Sequence, residues 1–322
     1  MPDTPTLSVV VGTFNRIDQI KRCIDSIVRE TESPYVIYVT DAGSTDGTVE
    51  YLNEIASDRV RPVLEGRRVG QAQAYNAVFD RIETPYVCWL SDDNEVVDHG
   101  LDRALEIARS DPRIGLIALK TRDVIGPFSD HPYIGGVSWL GILNVNQGLL
   151  PTTVLRQVGG FCPAFRDYGI DPDLTAKVLL SGYDVVYTRS VALLHYRNWP
   201  EDNLSAEYKS LMEKHEKFRS LYIQKYGFLN RWSPYWTVRR AAWLAVSQLI
   251  SSKRMAISSQ EPVFGCIPRD WQNMIRARFV NPFTELLRPD HRYHLRQRMP
   301  KRLRRSPSRP PLSQYDKFRA AQ

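Results

Sequence analysis

The first part of the chain alternates short β-branched runs with helix-period patterns. Leu7 to Gly12, Tyr35 to Thr40, Val60 to Leu64 and Pro85 to Leu90 read as strands; between them helices are expected up to about Glu30, from Thr48 and from Gly70. This is the rhythm of βαβ units, and it predicts an α/β fold with a mainly parallel, twisted sheet flanked by helices. Arg113 to Lys120 and Asp184 to Tyr187 read as further strands, and Pro151 to Val158 and Asp171 to Leu180 as helices. Ile125 to Asn146, rich in Gly and aromatics, reads as an irregular, pocket-building segment.

After His195 the alternation stops. Tyr208 to Tyr226 has the pattern of a charged amphipathic helix and Tyr235 to Ile257 that of a Trp-bearing one. The last thirty or so residues are Arg- and Pro-rich and are expected to be poorly ordered. The expected organisation is a domain over residues 1–200, a helical region over 201–287 and a basic, flexible tail over 288–322.

Charge sharpens this division. Up to His195 there are 18 Lys and Arg against 26 Asp and Glu, a net of −8; from Tyr196 there are 25 against 10, a net of +15, which together give the chain's +7. An acidic half suits metal and nucleotide chemistry, and a basic half suits a polyanionic partner. Cys23, Cys88, Cys162 and Cys266 are scattered without metal-ligand pairing, and the first residues lack a basic region before their apolar run. A reduced, cytosolic protein is therefore expected, without a disulfide framework. No apolar run reaches the ~18 residues that a membrane-spanning helix requires.

The polar signatures fall at corresponding strand ends: GTFNR after the first strand, TDAGSTDGT after the second and SDDNE after the strand from Pro85. In parallel sheets ligands bind beyond the carboxyl ends of the strands, so three loops would converge on one site. The adjacent carboxylates Asp92 and Asp93 raise each other's pKa unless a cation neutralises them. With water and diphosphate oxygens completing the shell, Mg²⁺ or Mn²⁺ fits better than zinc. SDDNE also reads as a polar turn capping a helix that starts near Val97. Asp41 is placed to accept from a base or ribose, while Asp46 suits the turn and the helix from Thr48.

In order and separation, VVVGTFNR, VTDAGSTDGT, RRVGQAQAYNAVF and WLSDDNE, followed by GLLPTTVLRQVGGF, YGIDPDL and the YDVVYT strand with His195, resemble the motifs of family 2 inverting glycosyltransferases. The resemblance covers about residues 7–197 and implies the Rossmann-like glycosyltransferase A fold. It also implies that Thr13, Asn15, Arg16, Asp41, Arg68 and Asp92 hold the nucleotide of a nucleoside-diphosphate sugar. Asp93 and His195 then hold Mn²⁺ or Mg²⁺, and Asp171 is the general base that deprotonates the acceptor hydroxyl. Ser91 stands where many members have the first aspartate of a DxD triplet, and Ile170 where many have Glu before the catalytic Asp; Asp173 is a second candidate for the base. Without the resemblance, Asp171 reads equally as an N-cap before Pro172, and His195 as a buried core histidine.

The implied donor carries UDP or dTDP, and the acceptor is a glycan or lipid-linked hydroxyl in cell-surface polysaccharide synthesis. Arg239, Arg240, Lys253 and Arg254 flank an apolar stretch with Trp236 and Trp243, and residues 288–309 hold nine Lys and Arg. Such segments suit an anionic membrane surface, with the protein peripheral on its inner face; packing on the catalytic domain or a partner is the alternative. Nucleic acid is the weaker partner, with no zinc spacing or RNP-type signature. A nucleotidyltransferase would show a Gly-rich phosphate loop where GTFNR stands. A catalytically silent glycan- or lipid-binding scaffold would keep the fold and lose dependence on Asp93 and Asp171.

Overall fold

The elements follow the alternation of the sequence, in the order β1 (Leu7–Thr13), α1 (Ile17–Glu30), β2 (Tyr35–Asp41), α2 (Thr48–Glu54), β3 (Val60–Leu64), α3 (Gln71–Phe79), β4 (Tyr86–Ser91), β5 (Asn94–Val96), α4 (Gly100–Ser110), β6 (Ile114–Ala118) and β7 (Thr121–Asp123). β8 (Gly148–Pro151), α5 (Thr152–Val158), α6 (Ile170–Leu180), β9 (Asp184–Thr188), β10 (Leu193–His195), α7 (Ala206–Tyr226), β11 (Thr284–Leu286) and β12 (Tyr293–Gln297) complete them. The computed structural model describes residues 4–125, 132–135, 142–197, 204–226, 284–286 and 292–299, together with positions 129, 138, 238, 301 and 304. The expected Trp-bearing helix from Tyr235 to Ile257 lies outside the described residues.

Among these, nine strands form one sheet in the order β11-β12-β9-β6-β8-β4-β1-β2-β3. β1 pairs in parallel with β2 and β4, β2 with β3 and β6 with β9, so the mainly parallel sheet expected from the alternation is present. β8 runs antiparallel between β4 and β6. The alternating side chains of β1 feed two cores: Leu7, Val9 and Val11 pack with Ile20, Ile24 and Ile27 of α1 and Leu101 of α4. Val10 faces the opposite side with Trp89, Tyr75, Phe161 and the buried face of α6. A sheet buried on both faces between helix layers explains why its strands read as near-continuous apolar runs.

Three expectations are corrected. The end of SDDNE runs into the strand β5, Asn94–Val96, and the following helix starts at Gly100 instead of near Val97. α6 is entered through Gly169 at φ 90°, so Asp171 is inside the first turn and is not the N-cap. A side chain at Gly169 would also overlap the Phe218 ring of α7, which is why this left-handed position is glycine. The third correction falls in the basic tail, where Tyr293–Gln297 is the strand β12, antiparallel to β9. Arg296 is buried there, donating to Asp111 Oδ2 at 2.9 Å, and the Gln297 side chain bonds both backbone groups of Leu143. These side chains read as polar, and partners far away in the sequence satisfy them.

Candidate active site

Strand register brings the polar loops together. Thr13 at the end of β1 lies opposite Asp41 at the end of β2, and Gly12 lies opposite Ser91 at the end of β4. The loops beyond them open onto a cleft of about 670 Å³, lined by Thr13, Arg16, Asp41, Arg68, Asp92 and Asp93 among others. Six of the nine residues singled out from the sequence thus share one cavity; Asn15, Asp171 and His195 are outside its lining.

Gly12 and Tyr75 set the floor. The Tyr75 hydroxyl accepts from the Gly12 N–H at 2.8 Å and donates to Leu90 O at 2.7 Å, tying β1 to β4. A Cβ on Gly12 would come within 2.7 Å of the Tyr75 ring. Asn15, at φ 50°, accepts the Thr45 N–H on Oδ1 (2.8 Å) and donates its own N–H to Ser44 Oγ (2.8 Å), so it joins two loops. Asp41 Oδ1 accepts the N–H groups of Gly43 and Ser44, each at 2.9 Å, and Oδ2 accepts the Ser44 hydroxyl. It therefore shapes its own loop while facing the cleft. Asp46 accepts from Thr48 and from the Ile17 N–H at the start of α1, the turn role expected for it.

The acidic pair is neutralised from within the chain. Arg16 Nη1 stands 3.0 Å from Asp92 Oδ1 and 3.3 Å from Asp93 Oδ2, and Asp92 Oδ2 accepts the Thr13 hydroxyl at 2.9 Å. Burial pushes Asp92 up to about 6, Arg16 opposing and Asp93 reinforcing the rise. Burial acts the same way on Asp93, yet His195 and Arg16 outweigh it and hold that carboxyl below its usual range. Arg68 stacks on Phe14 at the cleft rim, its guanidinium 4.6 Å from the ring centre.

His195 belongs to a small second sheet, β5-β10-β7, opposite Asn94 of β5 and Asp123 of β7. Its Nδ1 is 2.9 Å from Asp123 Oδ1, which also accepts the Tyr133 hydroxyl at 2.7 Å. Its Nε2 stands 3.4 Å from Asp93 Oδ1, a buried oxygen with no hydrogen-bond partner. Burial disfavours the charged imidazole, but Asp123 and Asp93 outweigh it and push His195 up to about 9. Among the described residues no three His, Cys, Asp or Glu side chains converge closely enough to hold a metal alone. Two ligands, with one buried carboxylate oxygen that lacks a hydrogen-bond partner, fit a hard divalent ion whose shell is completed by water or substrate oxygens.

Asp171 is half-buried beside Trp89, and burial pushes its carboxyl up to about 8, the Trp89 contact opposing. Asp173, the second candidate, is fully buried in an ion network with Lys177, Lys225 and the Tyr226 hydroxyl. Its complete burial marks it as a packing residue. The loop before α6 instead supplies Arg166, Asp167 and Tyr168 to the cleft, and α7 supplies Lys214. The same loop caps α3: Asp167 Oδ1 accepts the Gln71 N–H at 2.8 Å and Arg166 O the Ala72 N–H at 2.7 Å. Sequence reasoning missed these residues, and Phe14, Asp123 and Tyr133 as well. Only the aromatic, Gly-rich character of Ile125 to Asn146 hinted at a pocket contribution.

The family model described as "Glycosyl transferase family 2" matches residues 8–168. An uncharacterized glycosyltransferase of Nostoc sp. is 29% identical over 114 residues, 34% of this chain and 35% of that protein. The match thus spans about a third of that relative's length. An N-acetylglucosaminyl-diphospho-decaprenol L-rhamnosyltransferase of Mycobacterium tuberculosis is 26% identical over 255 residues, covering 64% of this chain and 83% of that one. The solved mannosyltransferase PcManGT of Pyrobaculum calidifontis, in complex with GDP-Man and Mn²⁺, superposes with a TM-score of 0.50 at 19% identity over 87% of each chain. At that identity the likeness is one of fold.

Proposed function

Because this chain belongs to glycosyl transferase family 2 and has the glycosyltransferase A fold, we propose that it moves a sugar from a nucleoside-diphosphate sugar to a hydroxyl of a glycan or lipid-linked acceptor, with inversion. The observation that carries this reading is the convergence of Thr13, Asp41, Arg68, Asp92 and Asp93 on one cleft beyond the carboxyl ends of β1, β2 and β4.

In this reading Thr13 and Asp41 face the nucleoside, with UDP or dTDP preferred because a carboxylate suits the donor edge of a uracil-type base. Arg68, Arg166 and Lys214 are the basic side chains that line the cleft within reach of a diphosphate, while Arg16 is paired with Asp92 and Asp93. Asp93 and His195 would hold a Mn²⁺ or Mg²⁺ ion, which when bound supplies charge stabilisation for the departing diphosphate. Asp171 takes the proton of the attacking hydroxyl as the new C–O bond forms on the face opposite the leaving group. Its raised pKa makes it a stronger base than an ordinary carboxylate and leaves less of it ionised at neutral pH.

The lipid-linked acceptor named in the mycobacterial relative supports an acceptor of that class and a role in cell-surface polysaccharide synthesis. The excess of basic residues after His195 supports peripheral attachment to an anionic inner leaflet, and no helix among the described residues is long and apolar enough to cross a membrane. Residues 1–200 carry most of the proposed donor chemistry; of the regions 201–287 and 288–322, the first adds Lys214 of α7 to the cleft and the second adds β12 to the sheet.

The deciding experiment is nucleotide release from a panel of UDP-, dTDP- and GDP-sugars with Mn²⁺, Mg²⁺ or EDTA, alongside Asp93→Ala and Asp171→Asn. Metal-dependent release from one donor, lost in Asp93→Ala, supports the reading and names the nucleotide. Silence across the panel, with no nucleotide binding by calorimetry, overturns it in favour of a silent scaffold.

A further inference from the structure

Three polar atoms behind His195 form a closed triangle. The Tyr133 hydroxyl is 2.7 Å from Asp123 Oδ1 and 2.8 Å from His195 Nδ1, and Asp123 Oδ1 is 2.9 Å from that same nitrogen. Asp123 and Tyr133 are almost wholly buried, at 1% and 7% exposure, so the arrangement is built into the interior. Backbone pairing fixes each corner: Asp123 and His195 are register partners of parallel strands, and Tyr133 is bridged to Thr121 in both directions, at 2.7 and 2.8 Å.

The chemistry of the corners decides where the imidazole proton goes. A tyrosine hydroxyl can donate to or accept from a ring nitrogen and so leaves the tautomer open. An ionised carboxylate only accepts. With Asp123 Oδ1 taking the Tyr133 proton and the Nδ1–H together, Nδ1 keeps its proton, and Nε2 is the nitrogen that gives up its own when a cation takes its place. Nε2 is also the nitrogen that faces Asp93 Oδ1, at 3.4 Å.

We propose that Asp123, braced by Tyr133, is the positioning residue that fixes the His195 ring and its tautomer, so that Nε2 and Asp93 Oδ1 together present a divalent-cation site. This rests on the metal reading given under Proposed function and adds residues that the sequence motifs did not single out. Partners behind a metal-binding imidazole orient it and raise its basicity, and their loss costs roughly 10–100-fold in metal affinity.

The test measures Mn²⁺ binding to the full chain, by the electron paramagnetic resonance of free Mn²⁺, with and without UDP or GDP. Asp123→Asn keeps the side-chain shape but offers an amide donor toward Nδ1, favouring the wrong tautomer. It is expected to weaken Mn²⁺ by about 10–100-fold. Tyr133→Phe leaves Asp123 accepting from Nδ1 and is expected to stay within a few-fold of the natural protein. In a His195→Ala background, Asp123→Asn should have almost no further effect, because its influence passes through the ring. Two results would overturn the assignment: equal losses in Asp123→Asn and Tyr133→Phe, or an undiminished effect of Asp123→Asn without His195, either of which marks general structural damage. If the natural chain binds no Mn²⁺ even with nucleotide, the metal reading itself fails and the inference with it.

Discussion

Asp173 offers a test that separates packing from catalysis two residues from the proposed base. Its Oδ1 accepts the Tyr226 hydroxyl at 2.6 Å and pairs with Lys225 Nζ at 2.9 Å, while Oδ2 faces Lys177 Nζ at 3.4 Å. Lys177 is fully buried, and its ammonium donates to Gly160 O. Asp173→Asn removes the anion and leaves the Lys177 ammonium in the core facing a neutral amide. Breaking a buried pair in this way costs about 3–5 kcal/mol. At 2–4 °C per kcal/mol for a domain of this size, the melting temperature should fall by roughly 6–20 °C. Lys177→Met should cost less, because Asp173 keeps Lys225 and Tyr226. The pair of changes Asp173→Leu and Lys177→Met should recover part of the loss, since apolar replacement of a buried ion pair is often neutral while Lys225 and the Tyr226 hydroxyl lose the carboxylate as acceptor. Urea unfolding followed by circular dichroism reads all three. A loss under about 1 kcal/mol for Asp173→Asn, or a double variant no more stable than it, would refute the reasoning. Turnover per folded molecule gives the second arm: it should change only a few-fold in Asp173→Asn, against a loss of about 10²–10⁴ in Asp171→Asn.

Three further outcomes follow from the geometry. Gly12→Ala should displace Tyr75 and cost about 1–3 kcal/mol, read by thermal melting, with weaker nucleotide binding by calorimetry. kcat/KM should rise with pH toward an apparent pKa near 8 as Asp171 ionises, and stability should move the other way. The folded chain holds a proton at Asp171 that the unfolded chain has released, so this group's contribution is complete below about pH 4 and is lost as pH rises through about 8; Asp171→Asn should flatten both trends. Arg68→Ala removes the cation stacked on Phe14 at the cleft rim and should raise the donor KM several-fold with kcat little changed, as steady-state kinetics would show.

Legibility in the sequence followed the range of the interactions. β1, β2 and β4 announced themselves because strands buried on both faces carry near-continuous apolar runs, and their loops revealed the cleft because glycines and carboxylates mark strand ends in α/β sheets. β8 did not: Gly148–Pro151 is too short to show a period, and its place between β4 and β6 is set by pairing alone. β12 was disguised by Arg296 and Gln297, polar residues whose partners are Asp111 and Leu143. Asp123 and Tyr133 left no local signal, since their meaning arises only when β7 is laid beside β10. The charge contrast between the two halves was legible as a sum and misleading in detail, because Arg292, Arg296 and Arg304 pair with Glu106, Asp111 and Asp184.

The pairing of β12 with β9 also bears on how the protein can be handled. A chain cut at residue 200, the boundary that the motifs suggest, would strip β9 of its neighbour and leave an unpaired edge open to other chains. It would also remove Tyr222, Tyr226, Leu295 and Met299 from the core they share with Trp89 and Leu174. Such a fragment is expected to go to inclusion bodies more readily than the 322-residue chain.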